Sequence, residues 1–387
     1  MILLFLQWLQ KLNIIIPHVF FYTTFRMLMA AITSFIVTLA VGKVFIAKLV
    51  SMKVGHRVRV AQVTALTGTY SKGASIPSMG GLLFIFSMIL SNLLWMDVKS
   101  PFTTLFSFTL LTMGATGFLD DYCKMKKIGI SARLKFLMQL LTMSFVVLYL
   151  QSETIFSGIN ECMNLLTPQI KGNGVEGSFP LFMKYVYFPF FKNPFIFSSS
   201  LILIPFSLFV LIGSSNAVNL TDGLDGLATG CMLLVAGVFA VVAFVSNHVL
   251  VADYLNILYI EGAGQIAIFL FSMIGALLGF LWFNSYPAQV FMGDTGSLAL
   301  GASIGLSAIL LRREFLLAIV GGIFVMETMS VILQIFWVKV FHKRLFLCSP
   351  IHHHFQIKGW HESKIVIRFW MIGLILALIG LASLKIQ

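Results

Sequence analysis

The chain has 387 residues, 59% of them hydrophobic and only 10% charged, against about 25% charged in an ordinary soluble protein. Such a chain cannot cover itself with polar surface, which excludes a cytosolic enzyme, a nucleic-acid module and a disordered protein, and leaves a polytopic membrane protein. Lys and Arg total 26 against 14 Asp and Glu, a net charge of +12, so the basic residues report topology before they report a ligand.

In chain order, the opening MILLFLQWLQK run is too short to span and has no basic region ahead of it. Residues 1–20 read as an amphipathic segment lying in the interface, not as a signal peptide. Ten apolar stretches of spanning length follow, at about 25–46, 78–96, 101–119, 133–151, 198–217, 225–245, 262–283, 296–311, 315–339 and 366–384. The fold class is therefore an all-α polytopic membrane protein with about ten transmembrane helices, one integral-membrane domain over 1–387.

The first loop carries Lys48, Lys53, Arg57, Arg59 and Lys72, and the third carries Lys124, Lys126, Lys127, Arg133 and Lys135. The ninth, with its flanks, carries Lys339, Lys343, Arg344, Lys358, Lys364 and Arg368. By the positive-inside rule these odd loops are cytoplasmic and both termini lie outside. Residues 152–197 then form an extracytoplasmic loop, in which Gly172, Gly174, Gly177 and Pro180 predict turns or a short hairpin. Cys123, Cys162, Cys231 and Cys348 form no CxxC pair, so no disulfide framework is expected.

Five aspartates fall at cytoplasmic span ends: Asp120 and Asp121, Asp222 and Asp225, and Asp294. A single Asp there is as readily a helix cap, but five on one face beside lysines and histidines predict a common water-facing site. Clustered carboxylates suit Mg2+, which takes one or two of them together with phosphate oxygens, and neighbouring lysines neutralise further phosphate charge. These are the parts of a phosphoryl-transfer site, and its place at the membrane edge suggests one soluble nucleotide substrate and one lipid.

Five strings carry these residues. Lys72 precedes Pro77-Ser78-Met79-Gly80-Gly81 and can reach phosphate. Asp120-Asp121-Tyr122 ends the third span. Asn216, Asn219, Asp222 and Asp225 recur every three residues with glycines between, a spacing that puts positions on one helical face and offers donors and acceptors to a base and ribose. Asn284 leads into Phe291-Met292-Gly293-Asp294-Thr295-Gly296-Ser297-Leu298. There Asp294 opens a helix, well placed for a metal-bound phosphate, and Phe291 either stacks on a base or packs against a neighbour. His352-His353-His354-Phe355 lies in the basic ninth loop. Three consecutive histidines cannot share one helical face, so donors to phosphate are expected rather than one metal site. Glu327 sits inside the ninth span, an intramembrane acid, and is kept apart from the catalytic set.

Taken together, these strings resemble the phospho-N-acetylmuramoyl-pentapeptide transferase family, in order, from Lys72 to Phe355. Ser78 stands where the family commonly has Thr, keeping the hydroxyl, and Ile76 replaces another Thr. The resemblance implies ten transmembrane helices in a homodimer in the bacterial cytoplasmic membrane, with the active site on the cytoplasmic face. It implies transfer of phospho-N-acetylmuramoyl-pentapeptide from its UDP carrier to undecaprenyl phosphate, with Mg2+, giving lipid I and UMP. By motif, Asp294 is the expected Mg2+ ligand, and Asp120 and Asp121 are the expected catalytic acids. Asn219, Asp222, Asp225, Asn284 and Phe291 are expected around uridine, with Asn216 beside them. Lys72, Lys124, Lys135, His352 and His353 are expected near pyrophosphate or sugar, with His354 among them. The rival within this chemistry is a polyprenyl-phosphate N-acetylglucosamine-1-phosphate transferase, from which the histidine string separates the chain. The rival outside it is an ion-coupled transporter, whose charges belong near the bilayer midplane.

Overall fold

An apolar segment in hydrocarbon must satisfy its own backbone, and only a helix does so within one segment. The computed structural model describes residues 1–14, 17–52, 76–126, 129–151, 169–172, 175–178, 185–191, 195–196, 200–255 and 257–386. Lys72, with the rest of 53–75, lies outside the described residues, as do Lys127 and most of the 152–197 loop.

The elements in order are α1 (Ile2–Lys11), a 3-10 turn (His18–Phe21), α2 (Thr23–Ser51), α3 (Gly81–Trp95), α4 (Pro101–Met125) and α5 (Ala132–Gln151). Short strands follow, β1 (Gln169–Gly172), β2 (Val175–Ser178), β3 (Tyr185–Val186) and β4 (Phe195–Ile196). Then come α6 (Ser200–Thr221), α7 (Leu227–Ser246), α8 (Val249–Tyr254), β5 (Tyr259–Ile260), α9 (Gly264–Asn284) and α10 (Gly293–Leu310). The chain closes with α11 (Glu314–Val320), α12 (Gly322–Phe341), α13 (Ile351–Ile357) and α14 (Glu362–Ile386). Among the described residues eight helices (α2, α4, α5, α6, α7, α9, α12 and α14) are long and apolar enough to cross a membrane, and α3 is a shorter apolar helix.

The eighth expected span is α10, which starts at Gly293 rather than 296 and is buried along its whole length from Asp294 to Leu310. It packs against α4 and α6, while α9 packs against α2 and α7. Apolar burial drives little association between helices in lipid, so close backbone approach between small residues must supply the contact. Gly117 of α4 lies so near the Asp294 backbone that a Cβ would collide with it, and Gly301 and Gly305 stand in the same way against Ser214 of α6.

The ninth expected span is broken. α11 stops at Val320, Gly321 N–H bonds Leu317 O at 2.8 Å, and α12 restarts at Gly322; two adjacent glycines are the weakest place for a helix to continue. The far half of α12 has few neighbours: Leu333, Ile335, Phe336, Val340 and Phe341 are all exposed. In the long loop β1 and β2 form the expected hairpin, Gln169 opposite Ser178, and β5 from a different loop adds to β1 through Ile170 and Ile260.

Candidate active site

The site is made where helix ends converge: the last turns of α4 and α6 and the first turns of α5 and α10. Asp120 and Lys124 are one turn apart on α4, Lys135 is in the first turn of α5, Asn219 is near the end of α6, and Asp294 opens α10. Lys124 Nζ stands 3.0 Å from Asp120 Oδ2 and 2.6 Å from Asp294 Oδ2. Lys135 Nζ stands 3.1 and 2.6 Å from the same two oxygens. Two carboxylates and two ammoniums therefore alternate in one cluster. Asp294 Oδ1 accepts from Asn219 Nδ2 at 2.7 Å, and the same Nδ2 lies 2.8 Å from Ser297 Oγ. Asp120 Oδ1 is buried without a hydrogen-bond partner, and both aspartates are nearly inaccessible while Lys124 is the most exposed member.

A second set holds the first in place. Asp121 Oδ1 accepts from Asp294 N–H at 3.3 Å, and its Oδ2 accepts from Thr295 N–H at 3.0 Å and Thr295 Oγ1 at 2.8 Å. A carboxylate on the first amides of a helix is an N-cap, here delivered from α4 to α10. Both Asp121 oxygens thus accept from donors at the start of α10, and the residue expected as a catalytic acid is joined to Asp294 through that residue's own amide. Asp222 Oδ2 accepts from Gly293 N–H at 3.2 Å. Gly293 has φ +72°, and a Cβ there would run into Asp121 Oδ2, so only glycine lets the chain turn into α10 at this point. Backbone pairing fixes the approach: Phe291 N–H donates to Pro77 O at 2.9 Å, Gly80 N–H to Phe291 O at 2.8 Å, and Gly81 N–H to Met292 O at 2.9 Å. The Pro77–Gly81 string is thus a splint for the Asp294 turn.

The remaining expected residues scatter. Asn216 turns to α5, donating to Gln139 Oε1 at 2.7 Å. Asn284, expected around uridine, is buried with its amide bonded inside the fold: Nδ2 donates to Val290 O at 2.9 Å and Oδ1 accepts from Thr229 Oγ1 at 2.8 Å. Asp225 accepts Ala288 N–H at 2.9 Å, and its own N–H donates to Glu362 Oε1 at 2.8 Å. Burial and then the Glu362 charge raise the Asp225 carboxyl to about 6, against the Ala288 bond that opposes them. Phe291 is half-buried.

The three histidines point three ways from α13. His352 is wholly buried, with Nδ1 3.0 Å from Glu327 Oε2. His353 Nδ1 lies 2.7 Å from Gln356 Oε1. His354 Nδ1 accepts Leu347 N–H at 3.1 Å, and partial burial and then Lys358 hold its imidazole below the ordinary range. Thr295 and Ser297 escaped the sequence reading, although hydroxyls in a helix's first turn are a signal for capping. Glu362 gave no signal at all, since it meets Asp225 from 137 residues away.

Among the described residues no three or more His, Cys, Asp or Glu are grouped to hold a metal alone. Asp120 and Asp294, two carboxylates sharing two lysines and with Asp120 Oδ1 unpartnered, are donors of the kind that Mg2+ takes together with phosphate and water.

The sequence profile of glycosyl transferase family 4 matches residues 103–312, from α4 to the end of α10. A phospho-N-acetylmuramoyl-pentapeptide-transferase of Protochlamydia amoebophila is 47% identical with 100% of both chains covered. Proteins of the same name from Leptospira biflexa and Neisseria meningitidis serogroup C are 44% and 42% identical, covering 96% of both chains in the first case and 99% and 98% in the second. On this agreement along the whole length, the chain belongs to the phospho-N-acetylmuramoyl-pentapeptide transferase family, within glycosyl transferase family 4.

Proposed function

We propose that the chain transfers phospho-N-acetylmuramoyl-pentapeptide from its UDP carrier to undecaprenyl phosphate, releasing UMP and forming lipid I, the first membrane step of peptidoglycan synthesis. The observation that carries this reading is the Asp120–Lys124–Lys135–Asp294 cluster at the meeting of four helix ends. Lysines paired to aspartates at a bundle end are groups that phosphate oxygens compete for, and a transporter would place them at mid-bilayer.

In this reading Asp294 would hold Mg2+, with Asp120, whose Oδ1 is unpartnered, as the neighbouring carboxylate across the two lysines. When bound, Mg2+ would supply positive charge against that of the pyrophosphate and of the departing UMP. Lys124 and Lys135 exchange carboxylate for phosphate oxygens and hold the pyrophosphate. Asn219 keeps Asp294 oriented through Oδ1. The lipid phosphate attacks the β-phosphorus directly: its second pKa is about 6, so it is largely a dianion near neutrality, and an ordinary Asp of pKa about 3.9 is a poor base for it. Asp120 positions charge rather than forming a phospho-enzyme. The lysine-bearing loops face the cytoplasm, both termini face outside, residues 1–20 lie in the interface, and the enzyme works as a homodimer in the cytoplasmic membrane.

The test uses purified protein in detergent with undecaprenyl phosphate and Mg2+. UMP release is followed from UDP-N-acetylmuramoyl-pentapeptide and, separately, from UDP-N-acetylglucosamine. Release from the first alone is expected. Release from the second alone moves the chain to the N-acetylglucosamine branch, and a labelled Asp120 peptide trapped during turnover refutes direct attack.

A further inference from the structure

α14 packs on α7, α11, α12 and α13, and another of its faces is uncovered. Lys364, Arg368, Met371, Ile375 and Ile379 are all exposed, and their spacing of three or four residues sets them along one lane of the helix. The apolar members, Met371, Ile375 and Ile379, are 61%, 57% and 41% exposed. From Arg368 to Ile379 the helix rises about 16 Å, half of a hydrocarbon core that is roughly 30 Å thick. The lane is therefore one leaflet long, with two cations at its end.

Those cations are held in place. Arg368 Cζ lies 4.3 Å and Lys364 Nζ 5.7 Å from the centroid of the Trp360 ring. Phe355 of α13 stacks on the same ring at 4.7 Å and meets Phe369 of α14 edge-on at 6.1 Å, which ties the indole to the bundle. A guanidinium set over a ring keeps its in-plane N–H fork for an oxyanion. Among the described residues neither cationic group has a carboxylate partner or a hydrogen bond. The acid nearest in sequence, Glu362, accepts from Asp225 N–H at 2.8 Å. Lys124 and Lys135, by contrast, stand on α4 and α5 and are already paired with aspartates.

We propose that this face of α14 is a binding site for an anionic phospholipid of the bilayer. Its phosphate sits between Lys364 and Arg368, one acyl chain follows Met371, Ile375 and Ile379, and Trp360 lies at headgroup level, where indoles are favoured. Charge selects the occupant: two cations with no acid between them favour a headgroup of net negative charge and repel the ammonium of a zwitterionic one. The inference does not depend on the proposed reaction.

The purified full-length protein is examined by native mass spectrometry with phosphatidylglycerol and, separately, with phosphatidylcholine. The variants are Lys364→Gln with Arg368→Gln, Trp360→Leu and, as a control for diffuse charge, Lys343→Gln with Arg344→Gln. The wild type is expected to retain phosphatidylglycerol over phosphatidylcholine. Loss of both α14 cations should weaken phosphatidylglycerol binding by about twenty-fivefold, about fivefold for each basic residue near a membrane surface, and leave phosphatidylcholine unchanged. Trp360→Leu keeps both charges but frees Arg368, and should show part of that loss; the control pair should show none. Equal retention of phosphatidylglycerol by the wild type and the α14 double variant, or an equal loss in the control pair, overturns the proposal. Loss of a dimer in the α14 double variant without added lipid also overturns it, by assigning the face to a second copy. So does displacement of phosphatidylglycerol by equimolar undecaprenyl phosphate, which assigns the face to the acceptor. Lys364→Gln alone, with a fivefold loss, carries the test if the thermal midpoint shows that the double variant does not fold. The spectra read binding without turnover, so failure of UMP release leaves this result standing.

Discussion

Replacing Asp121 by Asn separates a helix cap from a catalytic acid. The carboxylate takes three donors: Asp294 N–H at 3.3 Å, Thr295 N–H at 3.0 Å and Thr295 Oγ1 at 2.8 Å. Asn retains one carbonyl oxygen and turns an NH2 toward at least one of these donors. An unsatisfied buried N–H costs about 1–3 kcal/mol, and losing the negative charge at the α10 N-terminus adds about 0.3–2 kcal/mol. The sum, about 1–5 kcal/mol, predicts an apparent melting temperature in detergent lowered by about 2–6 °C. Thr295→Val removes only the hydroxyl bond and should cost about 1 kcal/mol. Because the displaced amides belong to Asp294 and Thr295, Asp121→Asn should also loosen Asp294 and weaken the response of turnover to Mg2+. Thermal denaturation followed by a thiol-reactive dye, beside a Mg2+ titration of UMP release, reads both effects. An Asp121→Asn protein that melts with the wild type yet has lost its turnover refutes the cap and restores Asp121 to the chemistry.

Asp294→Asn should abolish Mg2+-dependent UMP release, by about 10²–10³ in kcat or more, with no recovery at higher Mg2+. Lys135→Met should destabilise the protein more than Lys124→Met, because the Lys135 side chain is 16% exposed and that of Lys124 35%; melting curves of both variants decide it. Gly117→Ala should cost at least about 1–3 kcal/mol in overpacking, since the new Cβ meets the Asp294 backbone, and should lower activity in proportion to the displacement of α10. Asp225 has its carboxyl raised to about 6 by burial and then by Glu362. The folded state therefore holds this proton more tightly than the unfolded state, so the contribution is full below about pH 4 and is lost as pH rises through 6. The thermal midpoint should fall across that window in the wild type, and the fall should flatten in Asp225→Asn.

Composition and span length were enough for the all-α layout, because hydrocarbon leaves an apolar segment no alternative to the helix. The break at Gly321 was harder to read, since the residues on both sides are equally apolar and only the paired glycines mark it. The meeting of Asp120, Lys124, Lys135 and Asp294 was legible as a charged cluster at span ends, but not as alternating pairs. The regular spacing of Asn216, Asn219, Asp222 and Asp225 misled in a definable way. Three residues advance a helix by about 300°, so each step rotates the side chain by about 60°. Asn216 accordingly faces Gln139 of α5 while Asn219 faces Asp294 of α10, and α6 ends at Thr221 before either aspartate is reached. The same rotation, about 100° per residue, sends His352, His353 and His354 to three different partners. Contacts such as Asp225 with Glu362, or β5 with β1, join separate loops and leave no periodicity for a sequence to carry.

The charge arrangement bears on how the site can exchange its contents. Two ammoniums and two carboxylates sum to zero, and each Nζ is within 3.1 Å of both aspartates. Removing any one member leaves an uncompensated charge in a largely buried place, which is costly. Under the proposed reaction the donor brings a pyrophosphate and the acceptor a phosphate, while the cation brings two positive charges. If the lysines move to phosphate, the aspartates they leave are the carboxylates that Mg2+ would take, so neither aspartate is left without a cation. Asp294 is then held by Asn219 at Oδ1 and by Asp121 and Asp222 through its own amide and that of Gly293, so it keeps its orientation when its partners change. Asp120, with one oxygen already unpartnered, is the member placed to accept a new neighbour first. Lysines that trade partners and aspartates that stay in place would give the site a neutral resting state and a substrate-loaded state on one frame.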